Sequence, residues 1–229
     1  MFVLTLIDSG YEEWQKANPD SHYTEYRIDL HRMNSSGSLW DTDKLNHINN
    51  IYLSKISNEQ LFDEVLDWAK NYEVDYARLL QSNPQYATAA LGIERHTDLD
   101  PKRFNTYADT EKQLRFFFDE EYENLLSDRP SWPEIVTPEF ASLFVSEYRK
   151  NLDLSMTTQE WFTQLKEIGK TIGFAGSNAE FKEGGYIGKI GDLAMWLRIQ
   201  LAASKQTPDL YSMMQVMGKE RVFKRLEHR

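Results

Sequence analysis

Apolar residues recur at helical spacing through almost the whole chain, and no run of alternating β-branched residues interrupts them, so the pattern predicts an all-α protein. The opening MFVLTLI is apolar nearly all round (Phe2, Val3, Leu4, Leu6, Ile7) and reads as the middle of a buried helix over residues 1 to 12. An Asn18-Pro19-Asp20 turn and a Ser/Gly-rich loop, HRMNSSGSLWD, follow. After Asp41, the positions Leu45, Ile48, Ile51 and Tyr52 mark an amphipathic helix. Ser57 to Gln60 then forms a capping box ahead of a helix carrying Leu61, Val65, Leu66 and Trp68 and reaching Leu80. Asn83-Pro84 stops that helix, and a further segment reaches Ile93. A polar stretch, Glu94 to Asn105, precedes a helix over TEKQLRFFFDEEYENLL. The proline-rich link from Asp128 to Pro138 is the best internal boundary and divides the chain into two consecutive helical bundles, residues 1–130 and 131–229. Helices are expected at about 139 to 151 and 157 to 172, then a Gly-rich connector. Three more close the chain: one after Gly191 with Asp192 as N-cap, one opened by Thr207 as N-cap with Pro208 at the first helical position and stopped by Gly218, and one from Lys219 to Arg229.

Charge sets this last part of the chain apart. The 229 residues carry a formal net charge of −10, yet residues 170–229 hold ten Lys plus Arg against six Asp plus Glu, which leaves −14 on residues 1–169. A basic end on an acidic, self-repelling body suits a polyanion-binding surface, because Lys and Arg supply the salt-dependent part of nucleic-acid affinity. A Lys/Arg-rich last helix also complements its own dipole, so charge alone leaves a solvated helix end as the alternative. There are no cysteines, which excludes disulfides, thiolate zinc sites and cysteine nucleophiles and makes an intracellular, cytoplasmic location the expectation. The seven-residue apolar opening is too short to span a membrane and lacks a basic n-region, so no membrane partner is expected. A chain that opens in mid-helix suggests a piece of something longer.

Several constellations bear on chemistry. FFFDEEYE, Phe116 to Glu123, resembles the acidic cluster with which all-α diphosphate enzymes hold magnesium. The facing element those enzymes require has only Asn151, Ser155 and Glu160 as its nearest match, one residue too long, which turns the glutamate about 100° off the face. Two overlapping GxxG units, at Gly185, Gly188 and Gly191, lack the Lys-Ser/Thr pair of a phosphate loop and read as a connector. His22, His31, His47, His96 and His228 show no HExxH, and no serine has a convincing base beside it. His31 to Gly37 has neither lysine of a KMSKS loop. No catalytic residue and no metal site is therefore assigned.

Four segments carry a resemblance: SGSLWDTDKL (36–45), EWF with the later IGF (160–174), GDLAMWLRIQL (191–201) and TPDLYSMMQVMGKERVFKRL (207–226). Together they resemble the C-terminal half of bacterial glutamyl-tRNA synthetase, the part that follows the catalytic Rossmann domain, and the likeness extends over nearly the whole chain. The family usually has Thr-Gly where this chain has Ala202-Ala203. The resemblance implies an anticodon-binding fold, tRNA-Glu as partner and no DNA, with Arg198, Thr207, Pro208 and Leu210 at the anticodon. Lys189, Lys205, Lys219, Arg221 and Arg225 are then expected on the RNA backbone, positioning without specifying. It also implies that the chain is continuous with a catalytic domain that binds ATP and magnesium. Neither a HIGH nor a KMSKS element occurs here, so the chain alone is expected to be inactive and to carry no cofactor. The competing classes are a free-standing helical interaction module and a magnesium-dependent diphosphate enzyme.

Overall fold

A buried carboxylate shapes the N-terminal end of the computed structural model, which describes residues 2–8, 10–33, 40–97 and 103–227. Helix α1 (Phe2–Ile7) stops at Asp8, which is fully buried and accepts hydrogen bonds from the Tyr26 hydroxyl (2.7 Å) and from the backbone N–H groups of Gly10 (2.9 Å) and Asp29 (3.2 Å). The Tyr26 hydrogen bond, with help from those N–H groups, holds the Asp8 carboxyl below its ordinary range against the opposing effect of burial. The expected continuous helix over residues 1–12 is thus two: α2 (Gly10–Ala17) starts anew beyond Asp8, and Val3 is 61% exposed. The predicted loop lies largely outside the described residues, as do residues 36–39 of the first resembling segment.

Helix α3 (Thr42–Lys55) is capped by Asp41, whose carboxylate accepts Lys44 N–H. Helix α4 (Asn58–Tyr72) opens on Ser57, which accepts Gln60 N–H at 3.1 Å, but the Gln60 side chain turns to Glu64 and leaves the capping box half built. The helix expected to reach Leu80 breaks at Glu73, and α5 (Val74–Ser82) follows. Asn83 caps α6 (Pro84–Leu91), with Pro84 in the first turn, where a missing N–H costs nothing. The single helix expected over residues 110–126 is also broken, into α7 (Tyr107–Leu114), a 3₁₀ turn at Arg115–Phe117 and α8 (Asp119–Leu125). The reason lies in three consecutive phenylalanines: successive residues of an α-helix point about 100° apart, so Phe116, Phe117 and Phe118 bury together only where the helix opens, with Phe118 extended (φ −90°, ψ 127°).

Helices α9 (Pro138–Asn151) and α10 (Thr158–Thr171) begin on Thr137 and Thr157, and the second has a complete capping box with Glu160. Two-residue strands β1 (Phe174–Ala175) and β2 (Gly188–Lys189) pair in parallel around α11 (Asn178–Glu183), a small addition to an otherwise helical fold. Gly188 is therefore more than a connector: a Cβ there would meet the Phe174 ring at 2.7 Å. Helices α12 (Ile190–Ala202) and α13 (Leu210–Leu226) end the described chain. One cluster of buried side chains runs from Leu53 to Leu226 and draws on both sides of residue 130, with Val136 of the proline-rich link inside it.

Candidate nucleic-acid interface

The residues expected at the interface lie on α12, the loop after it and α13. Lys189 is the N-cap of α12, and Asp192, expected in that place, sits three residues on and accepts Lys189 N–H at 2.8 Å. Leu193, Trp196, Leu197, Ile199, Gln200 and Leu201 are buried, so the helix is sunk in the core and Arg198 stands at its partly exposed edge. The helix closes on Ala203 in the left-handed region (φ 52°, ψ 28°), its N–H donating to Ile199 C=O at 2.8 Å. That is the backbone state in which a glycine costs least, and it is the position where the resembling family carries one.

Beyond Ala203 the chain doubles back, and Arg198 holds the return. Its Nη1 donates to the carbonyls of Pro208 (2.9 Å) and Thr207 (3.3 Å) and to the Thr207 hydroxyl. The guanidinium engages neither Asp192 nor Asp209, and its Nε and Nη2 have no hydrogen-bond partner among the described residues. Thr207 and Pro208 precede the helix rather than open it. Asp209 is the cap of α13, accepting Ser212 N–H at 2.8 Å and the Ser212 hydroxyl at 2.7 Å, so one of the first-turn N–H donors is already served from within. Pro208 is buried and Leu210 is 3% exposed, so in this structure neither presents an apolar face to a base; both are core residues under the loop. Lys205 and Gln206 are exposed at its tip, and Gln206 is a polar group that sequence reasoning passed over.

The cations of the last segment divide by their partners. Gly218, at φ 77° and ψ 156°, kinks α13 and separates the part before it from the basic part after it. Arg225 is 1% exposed: its Nη1 donates to the carbonyls of Phe116 and Leu201 at 2.7 Å each, its Nη2 pairs with Asp119 at 2.9 Å, and its guanidinium lies 4.0 Å from the Tyr122 ring centre. This corrects the expectation of a backbone contact at Arg225, because a guanidinium enclosed among carbonyls cannot reach a phosphate. Arg221 is partly exposed but pairs with the same Asp119 at 3.0 Å and lies over the Tyr86 ring. Burial works to raise the Asp119 carboxyl, but the Arg225 hydrogen bond and both positive charges outweigh it and hold the group below its ordinary range. The acidic cluster of residues 116–123 thus supplies the counter-ion of the basic helix, a pairing 102 and 106 residues apart in sequence that spacing does not reveal. Lys189 and Lys205 are exposed; Lys219 is exposed too, with its Nζ donating to Leu152 C=O at 3.0 Å. The arrangement offers a half-used guanidinium beside an exposed loop that carries Lys205.

Residues 60–229 match the family described as anticodon binding domain. A glutamate–tRNA ligase of Sorangium cellulosum is 31% identical over 227 residues, 98% of this chain and 39% of that protein. One of Clostridium perfringens is 30% identical over 227 residues, 98% of this chain and 42% of that one. Among solved structures, a glutamate tRNA ligase of Elizabethkingia meningosepticum in complex with its amino acid shares the fold with a TM-score of 0.59 at 23% identity, covering 98% of this chain and 39% of that one. The chain spans about two-fifths of the length of the curated relatives it matches. The helical architecture, the family match over residues 60–229 and these relatives agree: the chain belongs to the anticodon binding domain family and corresponds to the anticodon-binding half of glutamate–tRNA ligases.

Proposed function

We propose that this chain reads the anticodon of tRNA-Glu as the anticodon-binding part of a cytoplasmic glutamate–tRNA ligase, continuous with a catalytic domain in which ATP and magnesium activate glutamate. The observation that carries the reading is Arg198: one guanidinium nitrogen is pinned to Thr207 and Pro208, which fixes the direction of the fork, while Nε and Nη2 keep their donors for another partner. Anticodon bases in an RNA loop can splay out and offer their edges to a planar donor set, and a guanidinium held in place loses little entropy on binding. Thr207 is the neighbouring polar group at the same loop. Pro208 and Leu210 support that loop from the core side, and Lys189, Lys205 and Lys219 contribute charge toward phosphates without sequence preference.

The test is binding of the full chain to tRNA-Glu at two salt concentrations, with a magnesium-dependent lyase assay and a pyrophosphate-exchange assay alongside. The proposal expects salt-sensitive tRNA binding and neither enzymatic signal. Salt-insensitive or absent tRNA binding would favour a protein-interaction module instead, and pyrophosphate exchange above background would contradict the placement of catalysis outside this chain.

A further inference from the structure

On the acidic part of the chain, far in sequence from Arg198, a cleft of about 220 Å³ lies between α3, α4 and α7, lined by the aromatic Tyr52, Trp68 and Tyr107 and by the polar Asn49, Asn105 and Thr106. Three aromatic side chains meet there from three different helices. The wall is fixed from behind by Glu64: its Oε1 accepts the Tyr52 hydroxyl at 2.7 Å and its Oε2 the Tyr107 hydroxyl at 2.8 Å, with Gln60 adding a third donor. A phenol that donates to a carboxylate gains electron density in its ring, which strengthens the negative face that rings offer to cations. No Lys or Arg lines the cleft, and the three helices around it carry seven carboxylates against four lysines. The side-chain amide of Asn49, which lines the cleft, has no hydrogen-bond partner among the described residues, leaving its oxygen to accept from an N–H donor. The same negative surroundings oppose a phosphate-bearing nucleotide, which sets this cleft apart from the RNA-facing loop.

We infer that the cleft between α3, α4 and α7 binds an organic cation, an alkylammonium or guanidinium group, through the Tyr52, Trp68 and Tyr107 walls backed by Glu64. Its source is either a free polyamine-like molecule or an arginine or lysine side chain of a protein, and the chemistry of recognition is shared. The inference does not rest on the RNA reading.

The full chain is titrated with agmatine, with Gly-Arg-Gly amide and with adenosine, following the indole N–H signals by two-dimensional NMR and assigning Trp68 with Trp68→Phe. Saturable shifts of the Trp68 signal by either cation are the expected result. Tighter binding of the peptide identifies a protein side chain as the occupant, and tighter binding of agmatine a free amine. Glu64→Gln and Tyr52→Ala should each weaken the cation by about fivefold or more while melting within a few degrees of the parent, and Tyr52, being 44% exposed, is the safer of the two for folding. Shifts by adenosine with none by either cation, or unchanged cation affinity in a folded Tyr52→Ala, would overturn the inference.

Discussion

Arg225 shows how far a residue's role can lie from its appearance in the sequence. In a run of four cations it looks like surface charge, yet it is enclosed and ties α13 to the 3₁₀ turn and α8 on one side and to the end of α12 on the other, through Phe116, Asp119 and Leu201. Removing one partner of a buried ion pair leaves the other and its hydrogen-bonding neighbours unserved, so Arg225→Ala should lose about 3–5 kcal/mol in urea unfolding. A loss within about 0.5 kcal/mol, the range of surface substitutions, would contradict the enclosed geometry. Asp119, the shared counter-ion, has its carboxyl held below the ordinary range, so its ionised form contributes stability above the unfolded value of about 3.9 and loses it as pH falls further. The melting-temperature gap between the parent and Asp119→Asn should therefore be widest near neutral pH and narrow below about pH 4. A gap that stays constant down to pH 3 would rule the ion pair out as its source.

Among the elements, the Ser57 helix start was legible, because a side-chain oxygen two or three residues ahead of a free N–H is a local event; Asp41 and Asn83, which also cap helices, stood in the sequence only as the residue before a helix and as a helix stop. What failed were the places where tertiary contacts chose between local options. Thr207 was the obvious cap, but Arg198 claims its hydroxyl and carbonyl, and the start moves to Asp209. Asp192 gave way to Lys189 and instead accepts Lys189 N–H from three residues inside the helix, and the Phe116–Phe118 run broke a helix that its periodicity had drawn as continuous. The buried Asp8 carboxylate, held from Tyr26 and Asp29, ended another. Of the candidate site, the position of Arg198 beside Thr207 followed from the resemblance, whereas the loss of Arg225 and Leu210 to the core depended on packing that no spacing displays. Two backbone positions yield predictions. Ala203 occupies a left-handed cap that disfavours a Cβ by about 1–2 kcal/mol, so Ala203→Gly should stabilise the chain by up to about 1 kcal/mol once the extra freedom of an unfolded glycine is subtracted. Gly218 sits where side chains are essentially excluded, so Gly218→Ala should cost about 1–3 kcal/mol, and an unchanged unfolding midpoint would contradict the kink between the two parts of α13.

At the scale of the whole molecule, a continuous core joins residues on both sides of the proline-rich link, and the net positive charge is confined to the last sixty residues. Among the described residues of the first forty, six large apolar side chains are exposed, Leu30 at 76%, Trp40 at 66% and Val3 at 61% foremost. The isolated chain should consequently show a concentration-dependent sedimentation coefficient that Leu30→Glu reduces, and a strict monomer at all concentrations would argue against a sticky face there. The basic end carries the functional claim. The most direct measurement of it is binding of the parent chain and of Arg198→Ala to tRNA-Glu and to the same tRNA with its anticodon exchanged, each variant first shown to melt like the parent, with Lys219→Ala as the charge control. The account predicts that the parent prefers the glutamate anticodon, that Arg198→Ala loses about 1–3 kcal/mol on the cognate RNA alone and flattens the preference, and that Lys219→Ala weakens both RNAs equally and lowers the salt slope by about one. Equal losses on both RNAs for a well-folded Arg198→Ala would leave Arg198 as a staple of its own loop and contradict anticodon reading at this site.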